Sequence, residues 1–209
     1  MKPRTMKRKP SAALVHSTAP SRTERRDDDL FFYAQSCHKA AKELAGTIEL
    51  GSNPLGEFDA YPVFHMYRHA VELHLKAMVL GEGGNFLPSK PDSISVSKTR
   101  SVSWLAQFVV QIITALKWEN EFCCEGVQDL AAFKSLIEEM NGIDTGHPMS
   151  TAPGDPATIL PAFVRRLDAL LDLLDSTADA LAAQCDLQSE AAVVGMDGKD
   201  DGGFEPTIQ

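Results

Sequence analysis

Five side chains able to move protons or hold charge recur along one short segment: His65, Arg68, His69, Glu72 and Lys76. At about 100° per residue they fall inside one arc of roughly 100° on a helix, so a helix here presents them together. Histidine exchanges protons near neutral pH, and arginine can stabilise the charge of a pentavalent phosphate. Glu72 can orient Arg68 or His69 through pairs one turn apart, and Lys76 can contact phosphate. The chemistry that suits the set is acid–base work on a phosphodiester. The competing reading is a wet helix face laced with the ion pairs Arg68–Glu72 and Glu72–Lys76.

His65 and His69, with Glu72 on the same face, are also suitable ligands for a divalent metal. The sequence is not H-E-x-x-H, however, and the cations Arg68 and Lys76 sit inside the stripe. No metal and no cofactor is therefore expected. His74 falls in the apolar arc of the same helix and reads as a hydrogen-bonded core histidine or as an alternative proton shuttle. Asp168, Asp172, Asp175 and Asp179 line one side of a later helix, spaced as a solvated face is; no opposing E-x-x-H accompanies them, which disfavours a di-iron carboxylate bundle. His147 is a lone loop histidine. Cys123 and Cys124 are adjacent, Cys37 and Cys185 are distant, and no C-x-x-C is present, so free thiols are expected. No phosphate-cradling glycine loop, nucleophile elbow or dinucleotide fingerprint occurs.

The elements that must position these groups follow from periodicity. Leu30, Tyr33, Ala34, Cys37, Ala41, Leu44, Ala45 and Ile48 predict a first helix, entered at the acidic run Asp27–Asp29, where negative charge meets the helix dipole. The second runs from about Ala60 to Leu80 with Pro62 at a tolerated early position. Apart from its one stripe it is almost wholly apolar, which places it at the centre of a bundle. Residues 81–100 read as a long loop. Ser101 to Trp118 reads as a third helix, with Ser101 or Ser103 as N-cap. Val127 to Met140 reads as a fourth, stopped by Asn141-Gly142, and residues 142–156 as a second loop. The last helix is expected from between Ala157 and Pro161 to about Cys185. Its Leu160, Phe163, Leu167, Leu170, Leu174, Thr177 and Leu181 form a heptad seam. The fold class is all-α: an antiparallel bundle of about five helices with two long loops and disordered termini.

Charge divides the chain. The formal net charge is -9, but residues 1–26 hold eight Lys and Arg against one Glu, a net +7, while residues 27–209 hold 12 basic and 28 acidic residues, a net -16. Residues 1–26 read as a disordered basic arm, 27–185 as the bundle and 186–209 as a disordered acidic tail. An organelle transit peptide, or a nuclear signal in Lys7-Arg8-Lys9, is the lesser alternative for the arm; its apolar run, Ala12 to Val15, is too short for a secretory signal. An acidic body disfavours extended phosphate backbones unless a basic groove is assembled locally. No run approaches the roughly 18 apolar residues of a membrane span, so a cytoplasmic protein without a membrane partner is expected.

The segment Tyr61-Pro62-Val63-Phe64-His65-Met66-Tyr67-Arg68-His69-Ala70-Val71-Glu72-Leu73-His74-Leu75-Lys76-Ala77 resembles the "P-x-x-F-x-x-R-H-A-x-E-L-x-L-K" stretch of HEPN-like proteins. The resemblance is strong over those residues and extends weakly, as an order of helices and loops, over about 28–185. It implies a dimeric all-α bundle of prokaryotic defence or toxin–antitoxin systems that often acts on RNA without metal. Members that cleave RNA use an Arg and a His four to six residues apart, contributed by both protomers; Arg68 and His74 have that spacing. The resemblance makes Arg68, His69, His74 and Glu72 the catalytic candidates and Lys76 and His65 the RNA contacts. It also implies a homodimer and an antitoxin-like protein partner. The chain departs from the pattern at Thr99–Leu105, which lacks the His-Asp-Leu-like start of the third helix, and at His147–Ser150, which lacks the aromatic-Arg-Tyr-Pro loop. A non-catalytic helical dimerisation or interaction module, built on the heptad seam, is the alternative expectation.

Overall fold

The computed structural model describes residues 22–47, 56–144 and 156–197. Helix α1 spans Arg22–Thr47 and α2 spans Gly56–Leu80. A 3-10 turn, Glu82–Phe86, and the short α3, Ser93–Lys98, lead into α4, Val102–Leu116. Helix α5 is Leu130–Asp144 and α6 is Pro156–Asp197. The described residues form an all-α bundle with no strand; one isolated bridge, Cys124 to Val127, closes a tight turn.

Helix α2 is the central element, as its apolar circumference requires. Val63, Phe64, Tyr67, Ala70, Val71, Leu75, Met78 and Val79 are buried, and α1, α3, α4 and α6 all pack against it. On α6 the seam residues Phe163, Leu167, Leu170, Leu174, Thr177 and Leu181 are buried in the same core, and Phe163 stacks on Phe64 of α2 at 5.9 Å between ring centres. The heptad seam is thus consumed inside the chain: helix α2 takes the place that a second copy would have filled.

Local chemistry sets the element ends. The Ser101 hydroxyl accepts from Trp104 N–H and caps α4, and Asp129 caps α5 through Ala132 N–H, each filling a donor that a helix start leaves empty. Lys117 adopts a left-handed conformation, φ 60°, and returns its N–H to the last turn of α4.

Several elements differ from the periodicity, among them α2, which begins at Gly56 rather than near Ala60 and so carries Pro62 in its interior rather than at an early position, and α5, which begins at Leu130 rather than Val127. Helix α1 begins at Arg22, upstream of Asp27, because the intervening Arg and Glu residues are good helix formers. Helix α5 continues through Asn141-Gly142 to Asp144. Helix α6 runs past Cys185 to Asp197; that stretch contains no proline, includes Ala191-Ala192, and has its one glycine, Gly195, only in the last turn. The 81–100 segment is no bare loop, since it carries the 3-10 turn and α3, the latter capped by the Asp92 carboxylate on Ser95 N–H. Of the arm 1–26 and the tail 186–209 expected to be disordered, residues 22–26 and 186–197 are helical, and the rest lies outside the described residues, as does His147 with most of the second loop.

Candidate functional site

Helix α2 carries polar groups on two flanks, and different neighbours cover each. On the first flank, Arg68, Glu72 and Lys76 form a ladder one turn apart. Lys76 Nζ donates to Glu72 Oε1 at 2.7 Å and to the Ser97 carbonyl at 3.1 Å. Arg68 Nη1 lies 3.7 Å from Glu72 Oε2, and Arg68 Nη2 donates to the Arg100 carbonyl at 3.0 Å. Glu72 is 5% and Lys76 6% exposed, so this is not a wet face. The segment expected to be a loop folds over the stripe and turns two of its backbone carbonyls onto the cations. His65 and His69 belong to the same arc and are exposed.

The second flank was not foreseen as a site. Tyr67 Oη donates to Asp168 Oδ1 at 2.8 Å, and His38 Nε2 of α1 meets the same oxygen at 2.9 Å. Lys42 Nζ is 3.9 Å from that oxygen, and Asp172 lies 4.0 Å from His38 Nδ1. Two turns further along, the pattern repeats. His74 Nδ1 donates to the Ala70 carbonyl at 3.0 Å, its Nε2 faces Asp175 Oδ1 at 3.6 Å, and Gln35 Nε2 donates to that oxygen at 2.9 Å. The Phe31 ring stands edge-on to His74, 5.4 Å between centres. Each helix contributes through residues seven apart: Phe31 and His38, Tyr67 and His74, Asp168 and Asp175. The aspartates read as a solvated face are therefore, at Asp168 and Asp175, the partners of α1 and α2. The signal available in the sequence was the matching interval of seven on three helices; His38 itself, in an otherwise ordinary amphipathic stretch, gave none.

Electrostatics separate the two flanks. Burial, then the hydrogen bond to the Asp168 carboxylate and the charges of Asp168 and Asp172, push the Tyr67 phenol far up, so it stays a donor. Burial lowers His74; its bond to Ala70 and the Asp175 charge oppose that shift, and His38 adds to it. With Asp168, Asp172 and Asp175 around it, this flank suits a proton or a cation and repels phosphate. The opposite flank has cations, but Glu72 and backbone carbonyls hold them.

Arg68 and His74 thus face different neighbours. Arg68 points to the segment before α4, and His74 points to Phe31 of α1 and Asp175 of α6. Within one chain the fold brings Arg68, Glu72 and Lys76 together and sets His74 apart from them. No group of three or more His, Cys, Asp or Glu side chains that could hold a metal ion occurs among the described residues. The four cysteines are free, and burial raises the thiols of Cys37, Cys124 and Cys185. No described helix is long and apolar enough to cross a membrane. No family model, curated protein or solved structure matches the chain.

Proposed function

We propose that the chain is a HEPN-like helical domain that works as an interaction module rather than as a ribonuclease. One observation carries this reading: the charges of the second helix are spent on the fold. Arg68, Glu72 and Lys76 are neutralised against one another and against the Ser97 and Arg100 carbonyls, and His74 is enclosed at 1% exposure on the other flank. A phosphodiester needs at least one of these groups in contact with solvent and free to change partners. The surface offers a partner an apolar foothold instead, in Phe32 and Tyr33 of α1, 65% and 64% exposed. The seam is closed inside the chain, so self-association or capture of an antitoxin-like protein would use such outer surfaces. A defence or toxin–antitoxin setting in the cytoplasm is the context that goes with this reading.

A second reading, RNA binding or metal-independent cleavage by a homodimer, draws support from His65 and His69, which are exposed one turn apart. One experiment separates the two. The protein is incubated with mixed RNA in chelator beside His65→Ala/His69→Ala and Arg68→Ala/His74→Ala variants, with circular dichroism and light scattering on each. No cleavage by the folded wild type supports the module. Cleavage lost in the folded His65/His69 variant supports the ribonuclease.

A further inference from the structure

We propose that His74 and Asp175 form a pH-sensitive latch that holds the N-terminal half of α1 on the bundle when His74 is neutral and loosens it when His74 takes a proton. The geometry leaves the imidazole in two incompatible situations. Neutral, it spends its one N–H on the Ala70 carbonyl. Its Nε2 is then an acceptor without a donor, buried and without a hydrogen-bond partner, 3.6 Å from a carboxylate oxygen that already accepts from Gln35. Protonated, Nε2–H needs that oxygen at ordinary hydrogen-bond distance, or water. Either need disturbs α1. Drawing Asp175 closer moves the oxygen to which Gln35 of α1 donates, and admitting water requires the Phe31 ring to leave His74. Gln35 and Phe31 both belong to α1, so a proton at one buried atom acts on the helix through two contacts.

Phe31 also lines, with Phe32, an open groove of about 780 Å³ between α1, the end of α2, the 3-10 turn and α6. Movement of Phe31 would enlarge that groove. The titratable groups that act on His74 are Asp175 of α6, which favours its charge, and His38 of α1, which opposes it; burial outweighs both. The folded value therefore lies below the ordinary imidazole value of about 6.5. A depressed value means that the closed form is favoured above about pH 6.5, and the preference is lost as pH falls through the lowered folded value.

The test is an NMR titration of the full chain between pH 7.5 and 5.0, following the His74 ring and the backbone amides of residues 29–38. The latch requires those amides to lose protection at least tenfold, after correction for intrinsic exchange, in step with His74. Asp175→Asn should move the midpoint to lower pH, and His38→Gln should move it to higher pH. His74→Phe, which keeps the packing against Phe31, should abolish the response. Titration of His74 with unchanged α1 protection, or the same loss in folded His74→Phe, overturns the proposal. Should His74→Phe fail to fold, opposite midpoint shifts in the Asp175 and His38 variants support the latch, and coincident midpoints overturn it.

Discussion

Lys76→Met is the sharpest probe of whether the polar stripe of α2 serves the fold. Lys76 is buried with its ammonium on Glu72 at 2.7 Å and on the Ser97 carbonyl at 3.1 Å. Methionine has nearly the same length and fills the space, so the change removes charge rather than volume. It strands the Glu72 carboxylate and leaves the Ser97 carbonyl without this donor. Losing one partner of a buried ion pair costs about 3–5 kcal/mol. Arg68, 3.7 Å from the other Glu72 oxygen, recovers part of that, so roughly 3 kcal/mol is expected, or about 6–12 °C in Tm for a domain of this size. Urea unfolding followed at 222 nm, repeated at several protein concentrations to separate any association, measures it. Glu72→Gln and the Glu72→Gln/Lys76→Met double variant complete a cycle, and coupling of at least about 1 kcal/mol is expected because the double change leaves no carboxylate buried beside a missing cation. A cost below about 1 kcal/mol with an unchanged m-value, or additive single effects, would refute the reasoning and return the stripe to a wet face or an open site.

Tyr67→Phe removes one of the two donors on Asp168 Oδ1 from a fully buried side chain; a loss of about 1–2 kcal/mol by urea unfolding is expected, and no loss would mean that the three-helix bond does not hold in solution. Gly126 sits at φ 82°, and a Cβ there would come within 2.6 Å of Arg166 Cγ. Gly126→Ala should therefore cost about 1–2 kcal/mol, while Gly46→Ala, on α1 with nothing within 4 Å of its new methyl, should be neutral or stabilise by up to about 1 kcal/mol; thermal melts of the pair check both signs.

The central position of α2 was legible because its apolar residues exceed what one buried face needs, and the start of α4 was legible from Ser101. The first linker was misread for a physical reason. Its Gly, Pro and Ser content is that of a loop, yet Asp92 at a cap position and the buried Val96 suffice to nucleate a turn of helix over α2. That turn decides the fate of Arg68 and Lys76, and nothing local to α2 encodes it. The stripe could be recognised as one arc from spacing alone, whereas whether water or backbone carbonyls meet it is a tertiary fact. His38 illustrates the same limit. Its role depends on Asp168, distant in sequence, and on a tyrosine that looks like core.

The ladder of aspartates on α6 orients three helices but does not by itself fix their register. Asp168 and Asp175 are seven apart, and so are Asp172 and Asp179. Sliding α6 by one turn, about 5.4 Å, would offer His38, Tyr67 and His74 a second pair of carboxylates with the same interval. The apolar contacts break this degeneracy. In the observed register Phe163 stacks on Phe64, Leu167, Leu170, Leu171 and Leu174 are all closed to solvent, and Arg166 reaches Glu139 of α5 at 2.8 Å. A one-turn slip would move Phe163 off Phe64 and carry Arg166 away from Glu139. Hydrophobic packing thus selects the register, and the histidine–aspartate layers select which face of α1 turns inward.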